Sequence, residues 1–114
     1  MNKVYEMFLA DSPFNLIKNQ NKRVEMRLNK NGRDQILPGD RIVFTHQESH
    51  EKLICEVVSV SKFKTFEELY ENYDKAELGY NEDETAHPDD MLIYYKKEDI
   101  IKYGVLAIEI RLIS

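Results

Sequence analysis

The stretch Lys22-Arg23-Val24-Glu25-Met26-Arg27-Leu28 is the sharpest alternation in the chain, and the reading of the rest works outward from it. Successive side chains of a strand point to opposite faces, so Val24, Met26 and Leu28 share one face and Arg23, Glu25 and Arg27 the other, repeating about every 7 Å. The apolar set is the candidate core face. On an open sheet the charged set pairs across strands for little energy. In a concavity the same row is a polar site. Arg27 then offers a planar fork of donors to a phosphate or a base edge, and Glu25 can hold that fork in place or accept from an exocyclic amine.

On the N-terminal side, Lys3 to Leu9 reads as a strand with Tyr5, Met7 and Leu9 on one face. Ser12 before Pro13 signals a helix start, with the hydroxyl as cap, and Phe14, Leu16 and Ile17 make the helix amphipathic until Asn19-Gln20-Asn21 ends it. On the C-terminal side, Asn29 to Asp34 is turn-like and Pro38-Gly39-Asp40 is a tight turn into a strand from Arg41 to Thr45. Gln47-Glu48-Ser49 reads as a hairpin loop. Lys52 to Phe63 is a strand long enough to bend through a barrel corner. Thr65 with Glu68 resembles a capping box for a helix to about Tyr73, and Phe66, Leu69 and Tyr73 fall on its core face. Short helices are expected near Pro88 to Tyr95 and Glu98 to Lys102, and Gly104 to Leu112 closes the chain as a strand. The order β-α-β-β-β-(α, α)-β predicts an α+β fold: a small, partly open mixed β-barrel of about five to six strands with flanking helices, as a single domain over residues 1–114. A doubly wound parallel sheet needs helices between most strands, and those are missing.

Composition narrows the function. With 42% apolar and 11% aromatic residues the chain is globular, and its single cysteine, Cys55, allows no internal disulfide and no cysteine-rich zinc module. Cys55 lies in the apolar run Leu53 to Val58 and reads as a buried, inert thiol. His46, His50 and His87 do not share a helix face, so no metal site is expected, and no isolated glycine makes a phosphate loop, so no cofactor is expected. No apolar run is long enough to span a membrane and the first residues make a poor secretory signal, which predicts a cytoplasmic protein with no membrane partner. The net charge of −5, from 16 basic and 21 acidic side chains, argues against broad binding to duplex nucleic acid. The charge is uneven: a basic stripe from Lys18 to Lys30 contrasts with an acidic segment from Glu67 to Asp90, read as a solvated face. Among the tyrosines, Tyr95 is the candidate to stack on a base.

Four segments, in order, carry a resemblance. Lys22-Arg23-Val24-Glu25-Met26-Arg27 resembles a signature of Lys, two residues, Glu, one residue, Arg. Pro38-Gly39-Asp40-Arg41-Ile42-Val43-Phe44 resembles a Gly-Asp-x-Ile-x-Phe strand entry. Glu56 to Val60 followed by Lys64-Thr65-Phe66-Glu67-Glu68-Leu69, and Tyr94-Tyr95 followed by Tyr103 to Ile108, resemble the later strands and helix of the same pattern. Together they are similar to the ASCH domain family of the PUA-like superfamily. The resemblance implies a small β-barrel with a cleft lined by the signature strand, binding RNA or a nucleoside or nucleotide ligand. The candidate ligand-binding residues are Lys22, Arg23, Glu25, Arg27, Arg41 and Tyr95. A bacterial subgroup hydrolyses N4-acetylcytidine with a lysine, a threonine and a glutamate. The lysine falls on Lys22, the threonine on Glu25, and the nearest glutamate by spacing is Glu77. Gln20 stands where the family has a glycine before the signature lysine.

Three functions remain in view. The first is binding of RNA or a modified nucleoside in the cleft around Lys22, Glu25 and Arg27. The second is a small amidohydrolase acting on an acylated nucleobase, with Lys22 and Glu77 catalytic. The third is a protein-interaction adaptor using the acidic segment, its protein partners unknown. Arg23 and Arg27 favour a neutral Lys22 while Glu25 favours the ammonium, so a cationic Lys22 that holds a phosphate is the simplest chemistry.

Overall fold

The computed structural model describes residues 2–114. Five strands form one mixed sheet: β1 Val4–Leu9, β2 Val24–Leu28, β3 Arg41–His46, β4 Lys52–Phe63 and β5 Val105–Leu112. Their spatial order is β1-β3-β4-β5-β2. β1 runs parallel to β3, and the other neighbours are antiparallel. Around the sheet lie α1 Asp11–Lys18, α2 Phe66–Tyr70, α3 Lys75–Leu78 and α4 Lys97–Tyr103, with 3₁₀ turns at Arg33–Gln35 and Pro88–Ile93. This is the expected α+β architecture, a five-stranded sheet curled into a half-barrel with flanking helices.

The curl has a local cause in β4. Its ladder to β5 slips between Val57, opposite Ile110, and Ser59, opposite Glu109. Val58 is the extra residue, and a bulge of this kind bends its strand and increases the twist. The two edge strands, β1 and β2, are thereby brought to face each other. Arg27 spans the gap, its Nη2 donating to the Phe8 carbonyl at 3.1 Å.

The sheet separates two cores. Inside the curl, Met7, Leu9, Phe44, Leu106 and Ile108 pack with Phe14 and Ile17 of α1. On the other face, Val24, Met26 and Leu28 pack with Phe66, Leu69, Leu78, Met91 and Ile100 from the helical layer. In the β2–β5 register Glu25 stands opposite Ile108 and Arg27 opposite Leu106. The alternation of β2 therefore divides one interior from another, not interior from water.

Local differences from the sequence reading follow from helix ends. α1 starts at Asp11 with Ala10 as its cap and no side-chain cap, so Ser12 does not cap. Pro13 is still accommodated because a first-turn N–H has no helical partner to lose. Thr65 does cap α2, its Oγ1 accepting from Glu68 N at 3.2 Å, but the helix stops at Tyr70 instead of near Tyr73. The expected helix from Pro88 is a 3₁₀ turn ending at Ile93. α3 and the turn at Arg33–Gln35 are too short to carry a periodic signal. Among the described residues, no helix is long and apolar enough to cross a membrane. Cys55 is fully buried, and burial, with a smaller contribution from the charge of Glu25, pushes its thiol up to about 12.

Candidate ligand-binding cleft

The chain entering β2 is pinned from both sides. Asn21 N and Lys22 N both donate to Leu16 O, at 2.9 and 3.0 Å, and Arg23 N donates to Glu77 O at 2.9 Å. Lys22 is thus held between α1 and α3, and its stem lies flat against Gly79. A Cβ at Gly79 would stand 3.1 Å from Lys22 Cδ, and its φ of +104° is a conformation that glycine adopts without strain.

Three charged side chains of the signature meet behind this stem. Lys22 Nζ lies 3.0 Å from Glu25 Oε1, which also accepts from Met26 N at 3.2 Å. Arg27 donates from Nε and Nη2 to Glu25 Oε2, at 3.0 and 2.8 Å. Glu25 is 3% exposed and Lys22 9%. Burial alone would raise the Glu25 carboxyl. The charges and hydrogen bonds of Lys22 and Arg27 outweigh that and hold it below the usual carboxylate range. Both oxygens of Glu25 are spent on the protein. Arg27 Nη1 and the remaining hydrogens of Lys22 Nζ have no protein acceptor among the described contacts. The trio therefore presents one net positive charge and unspent donors.

These donors face a cleft of about 370 Å³ in the mouth of the half-barrel. Phe8, Pro13 and Leu16 form one wall, and Tyr70, Tyr80, Asp90, Tyr94 and Tyr95 form the other. On the second wall the hydroxyls of Tyr70 and Tyr80 are 2.8 Å apart, and Tyr80 donates to Asp90 Oδ2 at 2.7 Å. Tyr80 has one proton and gives it to the carboxylate, so Tyr70 is the donor to Tyr80. Burial raises both phenols, and for Tyr80 the hydrogen bonds to Tyr70 and Asp90 raise it further. Tyr95 stacks on Phe66 with centroids 6.0 Å apart and planes at 18°, which fixes the ring. Burial likewise raises its phenol.

The structure brings Lys22, Glu25, Arg27 and Tyr95 to this cleft and places three other candidates outside it. Arg23 is exposed and lines a separate depression of about 330 Å³ with Ile17, Val58 and Arg111. Arg41 is exposed on β3, opposite Glu56, and β4 and β5 intervene between β3 and β2. The carboxylate of Glu77 accepts from Asp74 N at 3.1 Å at the start of α3 and is not part of the cleft wall. Conversely, Glu84 and Asp90 line the cleft although their acidic segment reads as a solvated face. The segment 79–90 has no periodicity from which that could be read. Among the described residues no cluster of His, Cys, Asp and Glu could hold a metal ion.

Comparison with known proteins agrees with this fold. The sequence matches the ASCH domain family over residues 7–114. No curated protein matches it. The crystal structure of hypothetical protein PH0355 is similar with a TM-score of 0.81 and 31% identity, covering 96% of this chain and 99% of that one. The solution structure of protein PF0455 from Pyrococcus furiosus is similar with a TM-score of 0.74 and 30% identity, covering 97% and 98%. An ASCH domain from Lactobacillus crispatus shares the fold with a TM-score of 0.64 at 16% identity, covering 97% of this chain and 79% of that one. The match spans both cores and the whole of the cleft strand, and so the chain belongs to the ASCH domain family.

Proposed function

We propose that this protein binds RNA through one unpaired nucleotide, or binds a modified nucleoside, in the cleft built on Lys22, Glu25 and Arg27. The observation that carries the reading is the buried ionic trio, which consumes its own carboxylate and leaves cationic donors pointing into an aromatic-walled cleft. The ASCH fold is itself proposed to bind RNA. A cleft of about 370 Å³ falls within the range of small-molecule sites and suits a nucleoside. Arg27 Nη1 and Lys22 Nζ offer charge-assisted hydrogen bonds to a phosphate or to base acceptors, and Tyr94 and Tyr95 offer ring faces. Glu25 accepts from the protein already, so its part is to position Arg27 and Lys22.

Titration of a single-stranded RNA and of nucleosides tests this. Replacing Arg27 by Ala is expected to weaken binding about tenfold or more, the usual size of a lost charge-assisted contact. Unchanged affinity in Arg27→Ala refutes the reading. The same samples, incubated with N4-acetylcytidine and followed by absorbance, test the hydrolytic alternative. Turnover abolished by Lys22→Ala would establish it, although Glu77 is held at α3, away from the cleft.

A further inference from the structure

The turn after β2 carries cations that the cleft does not use. Asn29 N donates to Gly104 O at 3.0 Å, tying the end of β2 to the end of α4. This brings Lys30 and Lys102 over one ring: their Nζ atoms lie 5.4 and 5.2 Å from the Tyr103 centroid. Arg33 follows on the adjacent 3₁₀ turn, its N donating to Lys30 O at 3.2 Å. Arg33 is half-buried and near enough to Arg27 for the two charges to interact. Burial first, and then Arg27, push its guanidinium below the ordinary value. None of Lys30, Arg33 and Lys102 makes an ion pair among the described residues. Like charges gathered this way repel each other and gain from an anion placed among them.

The rim of the cleft is asymmetric. Glu84 and Asp90 line the cleft beside Asn81 and Tyr80, whereas the cationic turn continues from β2 past Arg27, so a polyanion is favoured in one direction. Phe8 and Tyr94, 60% and 64% exposed, leave ring surface at the mouth where a flanking base can stack.

We infer that the ligand of the cleft is one nucleotide within a single-stranded RNA, and that the strand leaves the cleft across Arg33 and the Lys30–Lys102 pair, which hold its next phosphates. The inference rests on the nucleotide-binding reading above and makes its ligand a polymer. The test compares a short labelled RNA of mixed sequence, long enough to span cleft and turn, with the nucleoside 5′-monophosphates. Lys30→Gln, Arg33→Gln and Lys102→Gln are combined in one variant. Each phosphate contact on a single strand contributes about 0.7 to the slope of log affinity against log salt, so the combined variant should lower that slope by about 2. Its affinity for the monophosphates should equal that of the unaltered protein. An unchanged RNA slope in this variant, with binding still lost in Arg27→Ala, overturns the inference and leaves the cleft reading standing. Equal loss of RNA and monophosphate binding in the combined variant also overturns it, because the turn would then act on the cleft itself. If the unaltered protein binds neither probe, the cleft reading fails and the inference with it.

Discussion

Replacing Glu25 by Gln removes one charge and almost no volume, which makes it a sharp probe of the trio. In the folded protein Lys22 and Arg27 are both sheltered, with side-chain exposures of 9% and 15%, and Glu25 is their shared counter-charge. Removing one partner of a buried ion pair costs about 3–5 kcal/mol, because the remaining charges stay out of water without compensation. Gln keeps one acceptor, so the loss should fall near the low end, about 3 kcal/mol. For a chain of this size that is a fall of roughly 10 °C in Tm. Urea unfolding at neutral pH, read by circular dichroism, should show a lower midpoint with an unchanged slope. The pH profile supplies an independent check. The folded Glu25 carboxyl is held below its ordinary value, so its stabilisation is present above the ordinary glutamate pKa and is lost as pH falls through the lower folded value. The difference between the two proteins should therefore shrink in acid. Replacing all three residues by apolar ones, as Lys22→Met, Glu25→Leu and Arg27→Met together, should be neutral or stabilising while abolishing ligand binding. A loss below about 1 kcal/mol in Glu25→Gln, constant across pH, would refute the argument that the trio is buried and mutually dependent.

Two further predictions concern the elements around the trio. Gly79→Ala should destabilise the fold by about 1 kcal/mol or more and weaken ligand binding, because the added methyl meets Lys22 Cδ and the backbone stays left-handed; equal urea midpoints and equal affinities would contradict this. Cys55 should resist iodoacetamide at pH 8 in the folded protein and react at once in guanidinium, since the thiol is buried and pushed up to about 12; labelling without denaturant, read by mass spectrometry, would show otherwise.

How much of this was legible before any coordinates depends on the length of chain each feature needs. The limits of β4 and the pairing of the signature residues into two faces need only neighbours in sequence. The sequence also identified Thr65 as a cap and Cys55 as a buried thiol. Helix starts were harder: Ser12-Pro13 has the composition of a start, yet Ala10 caps α1, and the Asp11 carboxylate that precedes them accepts from Asn15 Nδ2 at 3.1 Å and lies 2.9 Å from His46 Nε2. That arrangement draws on β3, far along the chain.

The alternation of Val24, Met26 and Leu28 with Glu25 and Arg27 belongs to the sequence, as does the chemistry those groups can offer. Whether the charged side met water was decided elsewhere, by the bulge at Val58 that curls the sheet, by α1 lying across its opening, and by Tyr80, Asp90 and Tyr95 arriving from more than fifty residues further along the chain. A strand's pleat is dictated by its own backbone, but the dielectric around a side chain is set by whatever packs against it, and here that matter comes from residues distant in the chain.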